Sequence, residues 1–275
     1  HTLQAASGEA AEQARRQSMK DNAGKYVVIV DGSVPVGDGG VYSVIAGQSN
    51  VDMLAETVSQ AAAVIAVGTC AAFGGLPEAR PNPTGAVPVS QLVKDKPVVN
   101  IPGCPPMPQA MAGTLVHLLS FGKLPELDAL GRPRAFFGES IHDRCYRRPF
   151  YEKGLFAHSF DDEGARQGWC LYELGCKGPV TYNACASLKW NGGVSFPIQS
   201  GHGCIGCSED GFWDKGSFYD RLTGIQQFGV EQNADRVGAT AAGVVGAAVA
   251  AHAAVSAVTR ARVKHVQTDE RREDR

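Results

Sequence analysis

Short apolar runs alternate with amphipathic stretches over the first hundred residues. "YVVIVDG", "AVIAVGTC" and "KPVVNIPGC" are continuous and rich in β-branched residues, which is the pattern of strands covered on both faces. Helical spacing surrounds them. The opening "HTLQAASGEAAEQARR" reads as the body of a helix, and further helices are expected over residues 52–63 and near 108–121. Strands alternating with helices predict an α/β fold built on a parallel, doubly wound sheet. The stretch "LPELDALGRPRAFF" reads as the linker out of this first domain, assigned to residues 1–135.

From about Glu139 to Asp220 the strand rhythm fades, and six of the eight cysteines appear among aromatic residues, glycines and prolines. A region with so little regular periodicity needs something bound to hold it, so residues 136–225 are expected to form a second, loop-rich domain. Beyond it, "VGATAAGVVGAAVAAHAAVSAV" carries no formal charge from Val237 to Val258, roughly the twenty residues that cross a bilayer core. Residues 226–275 are therefore expected to be a membrane anchor with its tail; the alternative is a buried, alanine-rich helix of a soluble core. Arg260, Arg262 and Lys264 follow the span directly, whereas Glu231 and Asp235 precede it, so the positive-inside rule leaves the tail in the cytoplasm and the bulk of the chain outside. Gly238, Ala242, Gly246 and Ala250 recur every fourth residue as a small-residue face, and His252 is the one ionisable group in the span. It is as suited to packing as to a haem.

The chain has 275 residues, 44% of them hydrophobic, enough for a substantial core. A net charge of -2 gives no broad basic surface, so nucleic acid is not an expected partner. The glycines and prolines gather around the cysteines, where backbone is expected to approach something closely.

What that something is depends on spacing. Eight cysteines in an exported domain would by default be four disulfides. Yet His142 and Cys145 stand as H-x2-C in "IHDRC", followed by Cys170 and Cys176 in "CLYELGC", and a histidine has no part in a disulfide. That set alone suits a structural zinc as well as iron. Cys185, Cys204 and Cys207 are three thiolates, awkward for closed tetrahedral zinc but suited to an iron-sulfur cluster lacking one iron, and the glycines of "GHGCIGC" free backbone amides to approach cluster sulfides. A redox dithiol is disfavoured, because "GHGCIGCSEDGFW" reads as loop on both sides of the C-x2-C pair.

The ordered set "GTCAAFGG", "PNPTGA", "PGCPP", "IHDRCYRRP", "GCKGPVTYNAC", "FPIQSGHGCIGC" and "DGFWDKGSFYDRLT" resembles the small, electron-transferring subunit of membrane-bound nickel-iron hydrogenases, over roughly residues 65–223. The resemblance implies a flavodoxin-like domain followed by an iron-sulfur cluster domain. It implies that Cys70 and Cys104 are two ligands of a proximal 4Fe-4S cluster, that His142, Cys145, Cys170 and Cys176 hold a distal 4Fe-4S cluster, and that Cys185, Cys204 and Cys207 hold a medial 3Fe-4S cluster. Pro197 then stands where a fourth cysteine could serve. The family takes its other two proximal ligands from a C-x2-C loop after the first strand. That loop, the strand and a twin-arginine leader are expected to lie upstream of this N-terminally truncated sequence.

With all eight cysteines allotted, the nickel-iron centre is expected on a large partner subunit. The acceptor is expected to be a membrane cytochrome b and then quinone. Oxygen-tolerant members carry an extra cysteine where this chain has Gly75, so an oxygen-sensitive enzyme with an ordinary proximal cluster is expected. Trp213, Phe212 and Phe218 are read as a cluster shield or ordinary core, and Arg147 and Arg148 as a docking pair or a solvated one. The alternatives are a complex I-like quinone-reductase subunit, which shares the "PGCPP" loop but has no use for the later cysteines, and a disulfide-rich exported binding protein.

Overall fold

The computed structural model describes residues 5–222, 224–227 and 230–273, with side chains over 5–222, 238 and 240–260. The chain divides into two units, His1–Leu222 and Thr223–Arg275. In the first, the apolar runs become parallel strands β1 (Val27–Asp31), β2 (Ala63–Val67) and β3 (Val98–Ile101). Helix α1 (Gly8–Asp21) precedes them, α2 (Asn50–Val58) and the short α3 (Gly68–Phe73) flank β2, and α4 (Pro108–Phe121) follows β3. Local chemistry sets the ends: the Ser49 hydroxyl accepts from the Asp52 amide at 3.2 Å to cap α2, and α4 opens on a proline and stops at Gly122, a left-handed residue.

The sheet runs β1-β2-β3, with Val27 opposite Ala63 and Val64 opposite Val98. A flavodoxin-like sheet places its first strand between the second and third. Here β1 and β2, which are the second and third strands of that plan, pair directly with no strand between them. Direct pairing satisfies the backbone of β2, the most buried strand, on both edges.

Alternate side chains then build two cores. Val64 and Ala66 pack with Leu54, Val58, Ala71 and Val89 on one face of the sheet. On the other, Ile65, Val99 and Ile101 join Phe137, Ile141 and Leu171, and also Cys176, Cys185 and Cys204. One apolar core thus crosses the expected boundary near residue 135. The expected linker is built into the fold as well: Asn100 of β3 donates its backbone N–H to Gly131 O and its side-chain amide to Leu130 O, both at 2.8 Å. Arg132 within that stretch is 4% exposed, which explains why it does not behave as a tether.

Residues 139–222 hold only short helical turns and isolated bridges, such as Ser140 with Tyr182 and Phe156 with Cys170. The second unit has a hairpin of β4 (Gly224–Gln227) and β5 (Val230–Asn233), which the sequence pattern did not announce, and then α5 (Ala234–Glu273). Thr240–Arg260 of α5 is long and apolar enough to cross a membrane, and none of that stretch is buried.

Candidate functional site

Two strands and their following loops present the first pair of thiols. Cys70 lies in α3 just beyond β2, half-buried, and Cys104 lies exposed just beyond β3. Thr69 holds the loops in register: its backbone N–H donates to Gly103 O at 2.9 Å, and its hydroxyl accepts from the Gly103 amide at 2.8 Å. The same hydroxyl donates to Cys207 O, bringing the glycine loop against both. Thr69 is 1% exposed, and no spacing in the sequence singled it out.

The second group assembles around a turn. Cys145 N–H donates to His142 O at 3.2 Å, and His142 N–H donates to Gly178 O at 3.2 Å, which carries the histidine to the Cys176 loop. Cys145, Cys170 and Cys176 lie within electrostatic range of one another. Burial pushes the Cys170 thiol up to about 11. Burial, aided by Arg148, holds His142 below the usual imidazole range, which keeps the ring neutral and able to ligate. Tyr151 packs edge-on against that ring with centroids 4.7 Å apart.

The third group borders a cavity of about 380 Å³ lined by Cys185, Cys204, Cys207, Trp190, Phe196 and Pro197. Burial pushes Cys185 up to about 12, opposed by the Trp190 indole N–H close to its sulfur. Cys204 is raised well above the ordinary thiol value, again by burial. The glycine loop does two jobs here. Gly206 N–H donates to Cys204 Sγ at 3.4 Å, and an added Cβ at Gly203 would sit 3.0 Å from Cys176 Cα, so any larger residue would push Cys176 away by a few tenths of an ångström.

Neighbouring groups touch. The Cys204 amide donates to Cys176 Sγ at 3.3 Å, joining the third group to the second, and the Cys104 amide lies against the Cys207 sulfur, joining the third to the first. Gly178 N–H and Arg147 N–H give further donors, each 3.4 Å from Cys176 Sγ and Cys145 Sγ respectively.

This donor set fits iron-sulfur groups. All eight cysteines are free thiols, and burial raises seven of them, so a thiolate persists there only opposite a cation. Amide donors aimed at sulfur are what cluster ligands require. A closed zinc site draws its sulfurs to about 3.8 Å from one another, given Zn–S bonds of about 2.3 Å. Among the described residues no group of three or more His, Cys, Asp or Glu side chains forms a preformed single-ion site.

Other expected residues are placed differently. Arg147 is 6% exposed, its guanidinium donating to Trp169 O at 2.7 Å and Tyr146 Oη at 2.8 Å, so it is neither a docking nor a solvated residue. Arg148 alone reaches solvent, paired with Glu152 and Asp143. Phe212, Trp213 and Phe218 pack on one another and none lines the cavity. Spacing also missed the buried ion cluster beneath the glycine loop, where Arg132 pairs with Asp128 at 2.7 Å and Glu209 at 3.0 Å and lies over the rings of Phe137 and Tyr182.

Residues 137–220 match the family model for the C-terminal region of the NiFe/NiFeSe hydrogenase small subunit, and residues 2–118 match that for the 20 kDa subunit of NADH ubiquinone oxidoreductase. The chain is 55% identical to the uptake hydrogenase small subunit of Azotobacter vinelandii, over 94% of this chain and 72% of that one. It is 54% identical to that of Rhizobium leguminosarum bv. viciae, over 98% of this chain and 74% of that one. Among solved structures, the [NiFeSe] hydrogenase from Desulfovibrio vulgaris Hildenborough superposes with a TM-score of 0.74 at 41% identity, covering 80% of this chain and 83% of that one. With the ordered cysteine motifs and the fold in agreement, the chain belongs to the family of nickel-iron uptake hydrogenase small subunits.

Proposed function

We propose that this chain conducts electrons from a nickel-iron large subunit toward a membrane acceptor along three adjoining iron-sulfur sites. As a family member it is the small subunit of a nickel-iron hydrogenase heterodimer and serves in electron transfer. The finer assignment is ours: Cys70 and Cys104 contribute to a proximal 4Fe-4S site, Cys185, Cys204 and Cys207 hold a medial 3Fe-4S site, and His142, Cys145, Cys170 and Cys176 hold a distal 4Fe-4S site. When bound, these groups supply reversible one-electron carriers. The protein's share is to exclude water, supply amide donors to sulfur and keep successive sites in contact.

The observation that carries this reading is the 3.3 Å bond from the Cys204 amide to Cys176 Sγ, which supports adjacent cysteine sets lying edge to edge. Gly75 supports an ordinary proximal cluster and oxygen sensitivity: an added Cβ there would lie 2.7 Å from Cys70 Sγ, and this chain leaves the place bare. The quinone-reductase alternative is favoured only by residues 2–118, and it leaves the later cysteines without a role. Thr240–Arg260, uncovered by protein, supports an anchor, with Arg260, Arg262 and Lys264 keeping the tail cytoplasmic and the cysteine-bearing unit periplasmic. A cytochrome b packed on the small-residue face, with His252 beside it, would pass electrons to quinone.

Low-temperature EPR on the anaerobically purified heterodimer tests the assignment. The oxidised complex is expected to show a 3Fe-4S signal that Cys185→Ser abolishes. Cysteines joined in pairs, or zinc in place of iron, would overturn it.

A further inference from the structure

One polar side chain bordering the medial cavity makes no hydrogen bond to the described residues. Asn183 is 5% exposed, borders the cavity beside Cys185, Cys204 and Cys207, and its Oδ1 is buried with no hydrogen-bond partner. A buried amide oxygen left unpaired is costly, and such groups in native proteins call for an explanation. With Oδ1 sealed off, the remaining polar atom, the Nδ2 donor, is the end available to the cavity. The walls around it are mostly apolar or sulfur, including Phe196, Pro197, Ile198 and Ile205. A donor among thiolates has one electrostatic use, which is to stabilise negative charge.

We propose that Asn183 is a positioning residue whose side-chain amide donates to the inorganic group held by Cys185, Cys204 and Cys207 and raises its reduction potential. This rests on the medial assignment above. Reduction adds negative charge to the group, so a donor stabilises the reduced state more than the oxidised one, and its removal favours oxidation. Backbone amides at this site are fixed by the loop's own conformation. Asn183 is a donor that a single substitution can remove without altering the main chain.

The test is an EPR-monitored redox titration of the 3Fe-4S signal in the intact heterodimer, comparing the parent with Asn183→Leu and Asn183→Asp. The parent signal first has to be present; its absence overturns the medial assignment and this inference together. Asn183→Leu keeps the branching at Cγ and removes the donor, and it is expected to shift the equilibrium toward oxidation about tenfold, which is about 59 mV downward for a one-electron couple. Asn183→Asp replaces the donor with an acceptor and is expected to shift the potential downward further. A normal signal at an unchanged potential in both variants overturns the inference while leaving the medial assignment standing. Should Asn183→Leu fail to assemble, the smaller, uncharged Asn183→Ala decides in its place: a downward shift supports the role, and an unchanged or higher potential overturns it.

Discussion

Replacing Arg132 with methionine removes the cation of the buried cluster while retaining much of the side chain's length. Arg132 is 5% exposed as a side chain, Glu209 16% and Asp128 19%, so these charges have little water to fall back on. Their losses differ. Asp128 keeps two backbone donors, Leu130 N at 2.9 Å and Arg132 N at 2.8 Å. Glu209 keeps only Tyr182 N at 2.6 Å, and burial already pushes its carboxyl above the ordinary range despite Arg132. Breaking such a pair from one side costs about 3–5 kcal/mol, chiefly through the charge left behind. At about 2–4 °C per kcal/mol for a unit of this size, the melting temperature of the heterodimer should fall by roughly 6–20 °C. The assay is thermal unfolding of the anaerobic complex at a fixed heating rate, because such complexes unfold irreversibly. Adding Glu209→Gln to Arg132→Met should recover most of the loss by neutralising the stranded carboxylate. A single variant melting within about 2 °C of the parent, or a double variant melting below the single one, would refute the reasoning.

Gly203→Ala should press a Cβ against Cys176 at 3.0–3.1 Å and lengthen the Cys204 amide bond to sulfur, at a cost of about 1–3 kcal/mol. Iron per complex should fall, and an unchanged iron-to-protein ratio would count against the close approach. A chain ending at Asn233 should leave the heterodimer in the soluble fraction after cell lysis; unchanged membrane sedimentation would show that α5 is not the anchor. Glu56 is held below the ordinary carboxylate range first by its hydrogen bond from Arg15, at 2.7 Å, so this tie between α1 and α2 is present at neutral pH and lost as pH falls through the lowered value. The groups are partly exposed, and the contribution is below about 1 kcal/mol. Between about pH 5 and about pH 3, hydrogen-exchange protection of α1 should drop in the parent and stay level in Glu56→Gln. Equal drops would remove the pair from the account.

Much of the fold was legible because its signals are local. Each β-branched run became a strand within a residue or two of its expected place, and α4 fills the expected stretch near 108–121. Strand order was not legible, since a run of valines says that a strand is buried without saying which neighbour covers its edge. The candidate ligands stood out for a similar reason, as cysteine and histidine are recognisable by type and spacing. Their supports did not stand out. Thr69, Trp190, Asn183 and Arg132 are ordinary residues in the sequence and gain their roles from what folds against them. Arg147 shows the converse: adjacent arginines suggest a surface, yet packing turned one inward to a backbone carbonyl and left the other in solvent.

The sequence by itself determined the chemistry available, namely soft sulfur donors in sets of fixed spacing, glycines where backbone had to come near, and a charge-free stretch long enough to cross a bilayer. Those properties belong to residue types and to neighbours along the chain. Only the tertiary structure decided that Cys176 and Cys204, 28 positions apart, share a hydrogen bond, and that Thr69 ties the Cys104 and Cys207 loops together. Contacts of that kind follow from how the sheet, the buried arginine cluster and the glycine loop exclude water from one another, which no local pattern encodes.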